Sequence, residues 1–278
     1  MIKKNIALLV LCVVINGCCF VNAAGRKALA FYPADKLDSQ ADISYEEQKK
    51  SNPPAQNKQH EMIVKRVADR LIAVAKRDYA QYCKGFDWEV VLFEKPKTLN
   101  AWCMPGGRMA VYTGILKACE NEGALAAVMG HEISHALLEH GNERMSQSLL
   151  TMGLTTGAIM LLENSEITEE EKQSYQLALG VVSAGGQLMI LKYSRSHESE
   201  ADKMGLSLMA SAGYDPSEAP KLWHRMAKLS GGNQPPEFLS THPSHDTRIH
   251  DLEALQIDAK LLYEKAPVKY GVGVSFIK

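Results

Sequence analysis

Apolar residues recur along the chain with two different spacings, and each spacing predicts a different kind of element. Strand-forming residues fill 87–93, and two further apolar runs, 99–102 and 109–113, flank the turn at Pro105 to Gly107. These runs predict one strand followed by a β-hairpin. From Lys58 the spacing is helical and predicts an amphipathic helix whose apolar face consists of Ile63, Val67, Leu71, Val74 and Ala75.

A second helix is predicted between Asn121 and Gly141. Asn121 can cap its first turn, and Gly141 stands where a helix of roughly twenty residues would end. The apolar stripe of this helix is formed by Leu125, Val128 and Met129. Its last third contains the most specific chemistry of the chain.

That chemistry is an H-E-x-x-H motif, which runs from His131 through Glu132 to His135. Two imidazoles one helical turn apart can bind one metal ion, and the glutamate between them lies within reach of a water at that ion. The motif is typical of a zinc hydrolase. Because a catalytic zinc ion takes three protein ligands and leaves its fourth position to water, a third ligand must come from elsewhere in the chain.

Three sources of the third ligand can be compared. A metzincin would continue H-x-x-G-x-x-H, but residues 135–141 do not have this spacing. A peptide deformylase would supply a cysteine from an E-G-C-L-S sequence, and those neighbours are absent around Cys83, Cys103 and Cys119. The acidic segment 194–202 offers a glutamate, because helical spacing places on one face Glu198, Ala201, Asp202 and Gly205.

On that face, Glu198 could be the third ligand, and Asp202, one turn later, could accept a hydrogen bond from a ligand histidine. Small residues at 201 and 205 would let this helix approach the motif helix closely. Glu200 projects in another direction, so we interpret it as a solvated or salt-bridging residue and keep it as the alternative ligand. His197 is interpreted as structural.

The motifs also follow a recognisable order. After H-E-x-x-H come S-R-x-x-E-x-E-A-D-x-x-G from Ser194 to Gly205, A-G-Y-D-P from Ala212 to Pro216, and T-H-P from Thr241 to Pro243. Together they resemble the zinc metallopeptidase family of CAAX prenyl proteases and HtpX heat-shock proteases. Its soluble bacterial branch includes periplasmic BepA- and LoiP-type enzymes, and Oma-type proteases are mitochondrial relatives. The resemblance covers roughly residues 58–255.

The resemblance implies a role for each site residue. Glu132 would be the general base, Asp202 the partner of a ligand histidine, and the zinc ligands would be His131, His135 and Glu198. His242 has two roles in the family, as an oxyanion stabiliser or as an inhibitory plug in the fourth zinc position. A histidine that only caps a loop is a third interpretation. Positive charge over the site would come from His245, Arg248 and His250.

The expected fold class is α+β, a mainly helical zincin of the gluzincin type with a small sheet flanking the motif helix. The edge of that sheet could take up an extended peptide as a further strand, which selects unfolded chain rather than a particular sequence. With the resemblance, this predicts a metalloendopeptidase with one Zn²⁺ per chain, acting on unfolded or misassembled cell-envelope proteins. The alternative is a chaperone-like or self-inhibited zinc-binding protein of the same fold.

Residues 1–23 have the pattern of a secretory signal, with Lys3 and Lys4 before an apolar run and small residues near Ala23. Cleavage after Ala23 would release a soluble periplasmic protein. Cleavage before Cys18, at an imperfect lipobox, would leave an acylated cysteine and membrane attachment. We expect the polar residues 24–57 to be a tether or loosely packed arm, and residues 58–278 to form the metallopeptidase domain.

Composition changes this picture little. The chain is 46% hydrophobic and 23% charged, as is ordinary for a globular domain. Residues 1–23 contain two lysines and no acid, so their removal changes the net charge from −1 to −3, which does not favour a nucleic-acid partner. In an oxidising compartment, one pair at most could form a disulfide among Cys83, Cys103 and Cys119. Oligomeric state is not indicated.

Two apolar stretches, 149–162 and 177–191, follow the motif and are separated by acidic residues. Each contains about fifteen residues, fewer than the roughly twenty that span a bilayer. They predict a helical hairpin that covers the active-site face, with peripheral membrane contact as a minor alternative.

Overall fold

The computed structural model describes residues 19–163, 168, 170, 172–173, 194–229, 237–242 and 248–276. The strands are β1 (Cys19–Val21), β2 (Lys27–Leu29), β3 (Glu89–Phe93), β4 (Ala101–Cys103) and β5 (Arg108–Tyr112). The helices are α1 (Ala34–Ser51), α2 (Lys58–Asp78), α3 (Thr113–Cys119), α4 (Glu122–Leu137), α5 (His140–Glu163), α6 (Arg195–Ser211), α7 (Glu218–Leu229), α8 (Glu237–Thr241) and α9 (Arg248–Lys265). The expected α+β class, mainly helical with small sheets, is confirmed.

The main sheet has three strands in the order β3-β5-β4, with β5 in the centre. The predicted hairpin is confirmed, since β4 and β5 are antiparallel and are joined by a tight turn over Pro105–Gly107. Gly106 and Gly107 have φ angles of 80° and 88°, which residues with a side chain rarely adopt. β3 runs parallel to β5. After β3 the chain passes to β4 at the opposite edge and returns through the hairpin to β5 in the centre.

Strand β4 forms one edge of this sheet beside α4. Met104 N donates to Arg108 O, and Tyr112 N donates to Asn100 O. In an antiparallel strand, the backbone N–H and C=O groups of every second residue point towards the same neighbouring strand. Those of Asn100, Trp102 and Met104 therefore point towards β5. The backbone groups on the outer edge therefore belong to Leu99, Ala101 and Cys103.

Helix α4 lies at the centre of the core. Every residue from Gly123 to Leu137 except Ala127 is buried, because α2, α6, α7 and β4 all pack against it. Asn121 caps the helix as predicted, with its Oδ1 accepting from Ala124 N. The helix ends at Leu137, earlier than predicted, because Glu139 adopts a left-handed φ of 56°. Gly141 consequently lies inside α5.

Helices α4 and α6 approach each other at two glycines. A Cβ on Gly205 would stand 2.9 Å from His131 N, and a Cβ on Gly130 would stand 3.0 Å from Gly205 O. Such a contact excludes any side chain, so these positions set the distance between the two helices. The predicted close approach of the helices is confirmed, and it places the residues of the motif beside the acidic face of α6.

The segment 24–57 differs from the loosely packed arm predicted for it. It contains β2, which pairs with β1, and the 18-residue helix α1. Ala41 and Tyr45, one turn apart on α1, are buried, and the Tyr45 ring contacts Trp102 edge-on at 6.0 Å. These two are the only buried residues of α1, so its sequence resembles a tether although the helix packs on the sheet.

The apolar stretch 149–162 lies within α5, whereas 177–191 lies outside the described residues, so the predicted hairpin stays a prediction. Among the helices that the structure describes, none is long and apolar enough to cross a bilayer. The thiols of Cys83, Cys103 and Cys119 are free and buried, so no pair of them is bridged.

Candidate metal centre

Four predicted site residues meet in the core. His131 and His135 come from α4, Glu198 from the first turn of α6, and His242 from the residue after α8. All four are buried, and one nitrogen or oxygen atom of each lies within 4.8 Å of the others. His135 Nε2 stands 3.0 Å from His131 Nε2 and 3.4 Å from Glu198 Oε1.

This donor set fits a zinc ion. Imidazole nitrogens and a carboxylate oxygen are ligands that zinc prefers, and zinc usually has four ligands in total, counting a water in a catalytic site. Two imidazole Nε2 atoms at hydrogen-bond distance need a proton between them, whereas a cation would be bound by the lone pairs of both. The residues that could hold it, which we call the ligand group, are His131, His135, Glu198 and His242.

Asp202 lies behind His131, as the spacing on α6 predicts. Its Oδ1 is 2.9 Å from His131 Nδ1, so the other ring nitrogen of His131 faces the ligand group. Burial by itself would lower the pKa of His131, but the hydrogen bonds to Asp202 and Glu198 outweigh burial and raise it to about 9. A carboxylate in this position orients a ligand histidine and increases its basicity.

Arg248 is buried within the site rather than placed over it. Its guanidinium donates to Asp202 Oδ2 and Oδ1 at 2.8 Å and to Glu198 Oε2 at 2.6 Å, and it stacks 3.7 Å above the Trp223 ring. It therefore holds both acids of α6 in place. His250 is exposed on α9, and His245 lies outside the described residues, so the predicted basic loop is represented by Arg248 alone among the described residues.

Glu132 is buried beside the ligand group. Burial raises the pKa of its carboxyl group, and this is only partly offset by His242 and His131. Within the described part of the chain, its Oε1 atom has no hydrogen-bond partner, and it lies 3.4 Å from His242 Nε2. A buried carboxylate with an available oxygen and a raised pKa has the properties of a general base.

His242 is held in the ligand group by the short helix α8. Its Nδ1 lies 3.0 Å from Glu198 Oε1 and 3.2 Å from His131 Nε2. Its ring stacks on Phe238 at 4.6 Å, and Phe238 N donates to Leu99 O, the residue two positions before β4. The interpretation of His242 as a simple loop cap does not account for this position among the ligands.

His140 is a further residue of the site that its sequence position alone did not predict. Its Nδ1 lies 2.8 Å from His135 Nδ1, and its Nε2 lies 3.0 Å from Glu200 Oε2. Glu200 in turn pairs with Arg26, so its interpretation as a salt-bridging residue is confirmed. The available signal was a histidine five positions after His135, which gives H-E-x-x-H-x₄-H. His197 pairs with Glu143 at 3.0 Å, outside the ligand group.

A buried H-E-x-x-H helix, a glutamate from a second helix and a flanking three-stranded sheet define a zincin-like metallopeptidase fold. Residues 54–256 match peptidase family M48, and the chain belongs to that family of metal-dependent peptidases.

Named relatives agree with the family assignment. The chain is 35% identical to the mitochondrial metalloendopeptidase OMA1 of Arabidopsis thaliana over 66% of its own length and 35% of the relative's. Identity to OMA1 of Schizosaccharomyces pombe is 33%, covering 73% of this chain and 55% of the relative. Identity to the beta-barrel assembly-enhancing protease of Yersinia pestis is 30%, covering 55% of this chain and 31% of the relative. The matched region thus spans about a third to just over half of these relatives.

Proposed function

We propose that the protein is a zinc metalloendopeptidase of the H-E-x-x-H plus glutamate type, which hydrolyses unfolded or misassembled cell-envelope proteins. The observation that carries the proposal is the buried group of His131, His135, Glu198 and His242, with the carboxylate of Glu132 beside it. The signal-like N-terminus and the resemblance to a beta-barrel assembly-enhancing protease support the envelope substrate class.

The residues divide the chemistry between them. A bound zinc ion would supply a Lewis acid that lowers the pKa of a water molecule to about 7 and polarises the scissile carbonyl. Glu132 accepts the proton of that water and later delivers it to the leaving amine. Asp202 orients His131, and Arg248 keeps Glu198 and Asp202 charged and in place.

Substrate binding is proposed at the outer edge of β4. An extended peptide would pair with the outward backbone groups of this strand, which requires an unfolded segment and no particular sequence. It would have to replace two existing bonds, from Ala101 N to Asn100 Oδ1 and from Phe238 N to Leu99 O. A cavity of about 190 Å³ opens beside His135, and its walls include Leu37, Tyr82, Phe86 and Pro105. We propose that it receives an apolar side chain of the bound peptide.

A self-inhibited resting state is the second candidate, and the position of His242 favours it. With its Nδ1 3.0 Å from Glu198 Oε1 and 3.2 Å from His131 Nε2, His242 adds a fourth donor to the group, where a catalytic zinc site keeps a position for water or substrate. We propose that His242 blocks that position at rest. Once displaced, it could donate a hydrogen bond to the oxyanion, so the two family roles describe two states of one residue.

For processing and location, we propose cleavage before Cys18, which gives a lipid-anchored periplasmic protein. Asn22 is buried, donates to Glu200 Oε2 at 2.9 Å, and accepts from the backbone of Ala24 and Arg26. Cleavage after Ala23 would remove Asn22 and the β1 strand. Mass spectrometry of the mature N-terminal peptide tests this proposal: an acylated Cys18 supports it, and a free Ala24 N-terminus refutes it.

The enzyme itself is tested with three variants and an unfolded casein substrate. Glu132→Gln should retain one zinc per chain and lose turnover, whereas Glu120→Gln, an exposed carboxylate outside the site, should behave as wild type. His242→Ala should retain zinc on three ligands and show increased basal hydrolysis. Absence of tightly bound zinc from the wild type, or undiminished hydrolysis by Glu132→Gln, would contradict the proposed enzyme. Unchanged hydrolysis by His242→Ala would contradict the blocked resting state.

A further inference from the structure

The two ligand histidines of α4 are supported in different ways. His131 contacts a carboxylate directly, through Asp202. His135 contacts a second imidazole instead, with its Nδ1 2.8 Å from His140 Nδ1. His140 Nε2 then lies 3.0 Å from Glu200 Oε2. A carboxylate therefore stands behind both ligands, but the one behind His135 is one imidazole further away.

The hydrogen bonds of this second arrangement all point in one direction. His135 presents Nε2 to the ligand group, so its Nδ1 carries the proton and donates to His140 Nδ1. His140 must then carry its own proton on Nε2, from which it donates to Glu200.

Arg26, near the N-terminus, contacts the carboxylate behind His140. Its guanidinium pairs with Glu200, and its two terminal nitrogens donate to Glu143 at 3.0 and 2.7 Å. Asn22 adds a hydrogen bond to the same Glu200 oxygen that accepts from His140. We call residues 22–26 the N-terminal turn; it is closed by the bonds from Ala24 N and Arg26 N to Asn22 Oδ1.

A parallel contact restrains the His140 ring. Glu143, held by Arg26, lies 3.0 Å from His197 Nε2, and the His197 ring stacks on His140 with centroids 4.3 Å apart. Arg26 thus reaches His140 by two routes, through Glu200 at its edge and through Glu143 and His197 at its face. Both routes bear on the orientation of His135.

We propose that Arg26, Glu200 and His140 form a series of hydrogen-bonded contacts, which we call the relay, and that this relay orients the ligand His135. The N-terminal turn would thereby contribute to metal binding. The relay rests on the proposed zinc site. Loss of a group that holds a ligand histidine typically weakens metal affinity about 10–100-fold. A purely structural role for the N-terminal turn would lower stability and leave the zinc affinity of the folded protein unchanged.

Zinc affinity is the measurement that separates these roles. It would be determined for the full mature chain by competition with a chromophoric chelator, with folding checked by circular dichroism. His140→Ala and Arg26→Ala should each bind zinc more weakly, His140→Ala by about 10–100-fold. His140→Gln should recover much of the affinity, because its amide can accept from His135 and donate to Glu200.

Arg108→Ala is the matched control. Arg26 bridges two carboxylates, and Arg108 bridges three, those of Asp42, Asp87 and Glu89, on the sheet and away from the ligand group. It should lose stability with no change in zinc affinity. The relay is overturned if folded His140→Ala and Arg26→Ala bind zinc as tightly as Arg108→Ala. A wild type that binds zinc but cleaves nothing would overturn the proposed enzyme, while the affinity series would still decide the relay.

Discussion

Gly205→Ala is a substitution of one methyl group that should disturb the metal centre without touching a ligand. The new Cβ would stand 2.9 Å from His131 N and 3.1 Å from Gly130 C, both backbone atoms that cannot rotate away. Ordinary contact begins at 3.4 Å, so α6 must move outward by about 0.5 Å. Overpacking of this kind costs about 1–3 kcal/mol of unfolding free energy.

The same displacement separates the ligands. Glu198 lies on α6, whereas His131 and His135 lie on α4, so a shift of about 0.5 Å reaches the tolerance within which a site must be held. We expect zinc affinity to fall roughly tenfold, similar to the loss of a residue that supports a ligand. Urea unfolding in the presence of a chelator measures the free energy of unfolding of the metal-free protein, and competition with a chelator measures its zinc affinity.

Gly153→Ala on α5 is the matched control, because a Cβ there has no atom of the described residues within 4 Å. Alanine is the better helix former, so this variant should be stabilised by up to about 1 kcal/mol and bind zinc as wild type does. If Gly205→Ala equals Gly153→Ala in both stability and affinity, the two helices are not held apart by these glycines, and the packing argument is refuted.

Three further outcomes are expected. Arg248→Met leaves two buried acids, Glu198 and Asp202, without their cation, and should lower the unfolding free energy by about 3–5 kcal/mol in urea titrations; a loss below 1 kcal/mol would contradict the buried pairing. Although burial opposes it, pairing with His197 and Arg26 lowers the pKa of Glu143 from 4.5 to about 2. The stabilisation of the fold by ionised Glu143 is therefore complete above about pH 4.5 and is lost as pH falls towards 2. Over that pH range, the free energy of unfolding should change less for metal-free Glu143→Gln than for metal-free wild type. Phe86→Ala enlarges the cavity beside His135 and should shift cleavage towards bulkier side chains in a peptide library, and an unchanged profile would place substrate side chains elsewhere.

The parts of the site that the sequence predicts are those that depend on local spacing. His131 and His135 share a helix face because they are four residues apart, and the same rule aligns Glu198 with Asp202 on α6. A helix period needs no knowledge of the rest of the fold. The hairpin between β4 and β5 was predictable for the same reason, since its turn residues and flanking apolar runs are contiguous.

What could not be predicted depends on pairs that are distant in sequence. Arg26 contacts Glu143 and Glu200 across 117 and 174 residues, and no spacing rule links positions so far apart. The end of α4 was misplaced for another reason: the left-handed position that usually takes glycine is filled by Glu139. Helix α1 was missed because two buried residues in eighteen leave almost no periodic signal.

The hydrogen bond from Phe238 N to Leu99 O joins two parts of the molecule that would otherwise act separately. Leu99 O belongs to the outer edge of β4, so α8 already occupies one end of the edge to which a peptide would add. A peptide that extended along β4 as far as Leu99 would compete with Phe238 for that carbonyl. Because Phe238 also stacks on His242, its departure would loosen the histidine from the metal ligands. If a peptide binds at this edge as proposed, occupancy of the edge and opening of the fourth position would be coupled. A long unfolded segment would then increase hydrolysis, and a short peptide would not.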